Sequence, residues 1–197
     1  MSNVRFGIIA EDKTDCAALD VLIRRLAESV NLPIRGPKYR SGNGCGSIKR
    51  KAKAWVKELL DSGCDAIVIV HDLDRNKVTN QLNDEDELRE SLDKIATPEG
   101  VPRLICIPIE EFEAWFFACA KVMRAISGSD KHVSRSPHAI AKPKERLISL
   151  SCGTNKKPRF STNDNAKYAR ILDLEDCARL CPAFRELRGF VTGFALE

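Results

Sequence analysis

The chain has 197 residues, of which 43% are hydrophobic and 30% charged, with a net charge of +4. That length suits one domain, or one domain with a helical extension, and the apolar content is enough for a core, which excludes wholesale disorder. There is no apolar run of about 18 residues to cross a membrane and no basic, apolar leader of the secretory kind, so a cytoplasmic location is expected.

In chain order, "VRFGIIA" (4–10) is a short apolar run that predicts a buried strand. A helix is expected from about Thr14, because Leu19, Leu22, Ile23, Leu26 and Val30 recur at helical spacing opposite Asp20, Arg24, Arg25 and Glu28. "NLPIRGPKYRSGNGCGS" is rich in Gly and Pro and reads as loop with a short extended piece. Ser47 is the expected cap of a second helix that carries Ile48, Ala52, Trp55 and Leu59 on one face. "DAIVIV" (65–70) and "RLICIPI" (103–109) predict two more buried strands, separated by the acidic-faced helix "NDEDELRESLDKIA". "EEFEAWFFACAKVMRAI" predicts one helix, apolar nearly all round and therefore buried. Continuous apolar strands alternating with helices predict an α/β fold, a parallel sheet of about four strands covered on both faces. The core is expected over residues 1–126, with 127–197 a helical C-terminal extension packed on it.

Charge is distributed unevenly. From Arg35 to Lys57 there are eight Lys/Arg and no acid, and from Asp84 to Asp93 six acids and one Arg. From Asp130 to Arg170 ten Lys/Arg stand against three acids. Basic surface of this kind attracts polyanions, although a solvated helix face also explains each segment alone. The eight cysteines contain no C-x-x-C pair, and several sit within apolar patterns as small hydrophobes. Free thiols are expected, not disulfides or zinc.

Three predicted strands end in acids. Glu11 follows the first, Asp72 and Asp74 the second, and Glu110, Glu111 and Glu113 the third. Sites on parallel sheets form beyond the carboxyl ends of strands. Positions 72 and 74 of an extended chain point the same way, and two adjacent carboxylates repel unless a cation joins them. Hard oxygen donors suit Mg²⁺ or Mn²⁺. An isolated D-x-D also suits a turn or helix cap, so Glu11 at the end of a neighbouring strand is what strengthens the metal reading. Lys49, Arg50, Lys51 and Lys53, beside Gly42, Gly44 and Gly46, are candidates for nucleic-acid contact, the alternative being a surface loop. There is no Walker A pattern. His71 beside the D-x-D has either a structural role or orients a water.

"IIAEDKTD" followed by "VHDLDRN" resembles the Toprim domain, with its Glu after the first strand and D-x-D after a later one. "SGNGCGSIKRKAKAWVKEL", "IPIEEFEAWFFA" and "AKPKERL" narrow the resemblance to small bacterial Toprim-like proteins related to overcoming-lysogenization-defect nucleases and anti-phage effectors. Asp12 departs from the pattern, since many Toprim proteins have Gly there. Asp12 leaves the turn geometry open and offers a further carboxylate. The resemblance implies a Toprim-like, Rossmann-like fold and a metal-dependent nuclease acting on DNA or RNA, tRNA included. It gives Glu11, Asp72 and Asp74 metal and acid/base roles, Asp15 and Glu113 metal roles, and Lys144, with Lys142 as neighbour, a role on transition-state charge. Asp15 also suits a helix N-terminus, Glu113 also suits a buried ion pair, and Glu110 is a weaker candidate of the same kind. The partners implied are nucleic acid and an ATPase, with a homodimer compatible and no membrane. The alternatives are a catalytically weak nucleic-acid- or partner-binding subunit, and a small-molecule phosphohydrolase or phosphotransferase using the D-x-D.

Overall fold

The computed structural model describes residues 3–42, 45–76, 78–152 and 157–196. Its centre is a four-stranded, all-parallel sheet. The strands are β1 (Phe6–Ala10), β2 (Lys38–Ser41), β3 (Ala66–Val70) and β4 (Arg103–Cys106), in spatial order β2-β1-β3-β4. The predicted α/β class with a parallel sheet is therefore found. β2 is the short extended piece within the Gly/Pro-rich stretch, and its charged Lys38 and Arg40 suit a sheet edge.

The apolar runs of β1 and β3 are continuous because both of their faces are covered. Phe6, Ile8 and Ala10 of β1, with Ala66, Val68 and Val70 of β3, join one apolar cluster with helix α1 (Lys13–Ser29). The alternate residues Ile9, Ile67 and Ile69 join a second cluster with helices α2 (Cys45–Asp61) and α3 (Glu85–Asp93). Side chains that alternate across a strand thus serve two cores at once.

The stretch after β4 differs from expectation. In place of one helix, a 3-10 helix spans Phe112–Ala118, Cys119 is extended, and α4 runs over Ala120–Ser127. All seven residues of the 3-10 helix are buried. Its carbonyls are drawn to other partners: the Ser134 N–H donates to Phe117 O (2.8 Å), and the Cys177 thiol points at Trp115 O. A chain apolar on every side carries no periodic signal for which face turns inward, so the break was invisible in the pattern.

The C-terminal residues are helical, as expected, in short pieces: α5 (Pro143–Ser151), α6 (Asn165–Ala169), α7 (Leu174–Leu180) and α8 (Pro182–Gly193). Asp173 caps α7 by accepting from Asp176 N–H (2.9 Å), and Pro182 opens α8, where a missing N–H is harmless. Phe160, Tyr168, Leu172, Phe184, Leu187 and Val191 share the cluster of Phe6 and Val68, so this part packs on the sheet. Among the described residues, no helix is long and apolar enough to cross a membrane. The seven described cysteines are free thiols.

Helix α2 begins before Ser47, so Ser47 does not cap it but lies buried in the first turn. There it meets Gly42: a Cβ on Gly42 would stand 2.3 Å from Ser47 Cβ. Gly42 thus has a packing reason to be Gly, Gly46 has open space, and Gly44 lies outside the described residues. Gly42→Ala should destabilise the fold by about 1–3 kcal/mol through overpacking, while Gly46→Ala, in a helical turn, should change stability by no more than about 1 kcal/mol, in the stabilising direction. Urea unfolding of both variants checks the contrast.

Candidate functional site

Parallel strands direct their carboxyl ends to one edge, where open α/β sheets bind ligands. β1 delivers Glu11 there and β3 delivers His71, Asp72 and Asp74. Pairing persists past the strand ends: His71 N–H donates to Cys106 O (3.2 Å) and Leu73 N–H to Pro108 O (2.8 Å). Leu73, between the two acids, is buried in the α2/α3-side cluster. The Phe112 N–H donates to Asp72 Oδ1 (3.1 Å), tying the D-x-D to the first residue of the 3-10 helix. Asp74 is exposed at the rim, and Glu113 is buried within the 3-10 helix.

These acids share one field. Burial pushes the Glu11 carboxyl up to about 7, Asp74 adds to the rise, and the Asp72 backbone N–H opposes it. Burial and then Asp12, Glu113 and Glu11 push Asp15 up to about 8. Asp72 is held well above the ordinary range by burial and by Glu113, Glu11, Asp15 and Glu111. Glu113 is raised by burial, against the lowering effect of the Asn165 amide, which donates to its Oε1 at 2.9 Å, and of Lys144. Glu11, Asp15, Asp72 and Glu113 are thus near enough to act on one another, and Asp74 acts on Glu11. Asp15 stands in the first turn of α1, so it is a helix N-terminal acid as well as a member of the cluster.

Lys144 is the cation among these acids. Its Nζ pairs with Glu111 (3.0 Å), and Glu111, Glu113 and Asp72 raise its pKa in spite of desolvation. Glu110 does not face the cluster. Its buried carboxylate is ion-paired with Arg75 and accepts the Lys142 N–H (3.2 Å). Lys142 lends the site its backbone N–H, while Lys144 lends its ammonium. Asp12 caps α1, accepting from Thr14 N–H (2.7 Å) and Asp15 N–H (3.0 Å) with an extended backbone at φ −138°. Its negative φ explains why Gly is not required at that position.

Lys49 and Gly46 of α2 line a cleft of about 540 Å³ with His71, Asp72 and Asp74, and Asp84, Glu87 and Glu90 form its opposite wall. Lys53 and Arg50 are exposed, and Arg50 Nε turns back to Gly46 O (3.1 Å). Lys51 lies over the Trp55 ring at 6.0 Å. Only Lys49 of the four basic candidates therefore borders the D-x-D. Sequence reasoning missed the Glu111–Lys144 pair, the Arg75–Glu110 pair and Asn165, because each partner lies 30 residues or more away without a spacing signal.

A family pattern described as a domain of unknown function, DUF4276, matches residues 10–191, from the end of β1 into α8. The chain belongs to the DUF4276 family. No curated protein and no solved structure matches it.

The donor set of this DUF4276 chain suits a hard divalent ion, being carboxylate oxygen throughout. Glu11 Oε1 is buried and accepts no hydrogen bond, with His71 Nδ1 3.4 Å away. That Nδ1 also lies 2.9 Å from Asp72 O. Among the described residues, no three acidic, His or Cys side chains are gathered closely enough to ligate one ion, so ligation requires the carboxylates to draw inward.

A pH dependence follows. Glu11 has an ordinary value of 4.5 and a folded value of about 7, and Asp15 has 3.8 and about 8. Between those limits the folded protein binds more protons than the unfolded chain, so stability falls as pH rises. The contribution is complete below about pH 4 and is lost as pH climbs through the folded values, about 7 and about 8. Melting temperatures in EDTA should therefore decline from pH 5 to pH 9, and Glu11→Gln and Asp15→Asn should each flatten the decline. An equal slope in both variants and the wild type would contradict this reading of the cluster.

Proposed function

We propose that this chain is a metal-dependent nuclease that cleaves phosphodiester bonds in DNA or RNA. The observation that carries the reading is that acids from the ends of β1 and β3 and from the 3-10 helix meet at the carboxyl edge of the sheet, with Lys144 paired to Glu111 beside them and Lys49 of basic α2 lining the cleft. Carboxylates this crowded repel an anionic substrate unless cations intervene. The residues that would hold Mg²⁺ or Mn²⁺ are Glu11, Asp72 and Asp74, with Asp15 and Glu113 behind them. When bound, such an ion supplies positive charge and an acidified water.

The chain's own groups have separate tasks in this reading. Glu11 and Asp72 would ligate as deprotonated carboxylates, and a bound ion would offset the burial and mutual repulsion that raise their pKa values. Lys144 stays protonated and offers its charge to a phosphate oxygen or the departing alkoxide. Asn165 and the Phe112 N–H fix the orientations of Glu113 and Asp72. Lys49 meets the substrate backbone at the cleft, and Arg50, Lys51 and Lys53 extend the same basic helix along it. The Toprim resemblance of the Glu11 and Asp72/Asp74 segments supports the same chemistry. That resemblance also points to a cytoplasmic anti-phage effector working with an ATPase partner, with tRNA among its substrates.

Cleavage of plasmid DNA and total tRNA, assayed with Mg²⁺, Mn²⁺ or EDTA, tests the proposal. Glu11→Ala, Asp72→Ala and Lys144→Ala should each lower cleavage by roughly a hundredfold or more, with EDTA abolishing it. Lys49→Ala should weaken binding and reduce the salt slope by about one. Metal-dependent cleavage that persists at full rate in both Glu11→Ala and Asp72→Ala would overturn the assignment.

A further inference from the structure

Two non-glycine residues near the site adopt left-handed backbone: Glu110 at φ 66° and Lys142 at φ 49°. Such geometry persists only where surroundings over-determine it. The two residues meet directly, since the Lys142 N–H donates to Glu110 Oε2 (3.2 Å). The next glutamate repeats the pattern one step on: Glu111 Oε2 accepts the Lys144 N–H (2.9 Å), and its Oε1 accepts the Lys144 ammonium (3.0 Å). Pro143, between the two donors, has no N–H to satisfy. Consecutive residues of an extended chain point to opposite sides, and the left-handed turn at Glu110 lets both glutamates reach the same helix end.

The other oxygen of Glu110 binds Arg75, with Nε 2.6 Å from Oε1 and Nη2 completing the pair. Arg75 follows Asp74 directly, and its Nη1 donates to Asn80 O (2.7 Å). Glu110 is only 4% exposed. A buried carboxylate held on both oxygens is a rigid joint, and removing one partner leaves a buried charge uncompensated. This joint connects the segment bearing Asp72 and Asp74 to the start of α5, which bears Lys144.

We infer that Arg75 and Glu110 are positioning residues, which act through α5 to keep the Lys144 ammonium among the acids contributed by β1, β3 and the 3-10 helix. The inference rests on the nuclease reading for what Lys144 does in the reaction, and not for where Lys144 stands. Neither residue touches the reacting atoms.

Amide hydrogen exchange, read by mass spectrometry on the full chain, reports position without activity. In Arg75→Ala and in Glu110→Gln, amides of residues 142–146 should exchange about tenfold faster or more, while those of β1 and β3 keep their protection. Arg75→Lys, which keeps the charge and loses the bidentate fork, should fall between them and the wild type, and supplies the comparison where Arg75→Ala fails to fold. Where the wild type cleaves, Arg75→Ala should lower kcat roughly ten- to a hundredfold with KM little changed. In a Lys144→Ala background the same substitution should cost nothing further, as expected of residues acting as one unit. Unchanged exchange at 142–146, or losses that multiply in the double variant, would overturn the inference. Where the wild type cleaves nothing on its own, the exchange comparison decides the positioning role by itself.

Discussion

Carboxyl groups brought together out of water repel one another, and the arrangement at the carboxyl edge of the sheet depends on how that repulsion is offset. Parallel topology forces the problem, because it sends the ends of β1, β3 and β4 to one edge. Each acid there has a distinct offset. Asp72 takes a backbone N–H from Phe112, Glu113 an amide from Asn165, Glu111 an ammonium from Lys144, and Glu110 the guanidinium of Arg75. Glu11 has the Asp72 N–H and the charge of Lys144, but one of its oxygens is buried and accepts nothing. Asp15 and Asp72 are raised as well, so the offsets are incomplete on both sides of the cluster, and a cation has something to gain there.

The sheet was legible in the sequence because both cores draw on the same strands. A strand such as Ala66–Val70 must be apolar at every position when helices cover both faces, and that continuity is readable without partners. The same logic fails where the chain is a compact apolar turn. Phe112–Ala118 and the α4 that follows are separated by the extended Cys119, and the carbonyls of Phe117 and Trp115 face Ser134 and Cys177, which no local pattern reveals. β2 was half visible, since a four-residue edge strand with two cations has the composition of a loop.

The site was legible to the extent that strand ends are. Glu11, Asp72 and Asp74 are each one or two residues beyond a predictable strand or its continuation. Lys144 came from resemblance alone, and its partner Glu111 lies 33 residues away along the chain. Glu110 and Glu111 look equivalent in "IPIEEFEAW", yet one holds Arg75 and the other holds Lys144. What separates them is the positive φ at Glu110, a property that sequence does not disfavour strongly enough to announce and does not favour at all. Asp12, which looked like an additional ligand, is occupied as a helix cap.

The cleft beside the D-x-D has walls of opposite sign. Lys49 stands on the α2 side, and Asp84, Glu87 and Glu90 stand on the α3 side, relieved by Lys94. For a polyanion this asymmetry matters more than the net charge of +4. A phosphate backbone approaching along α3 meets repulsion that adds to that of the site's own carboxyls. One approaching along α2 meets a helix whose first turn carries no acid and whose exposed face carries Lys49, Arg50 and Lys53. On the nuclease reading the substrate strand therefore crosses the sheet edge on the β2 side, with Lys144 meeting it from beyond β3.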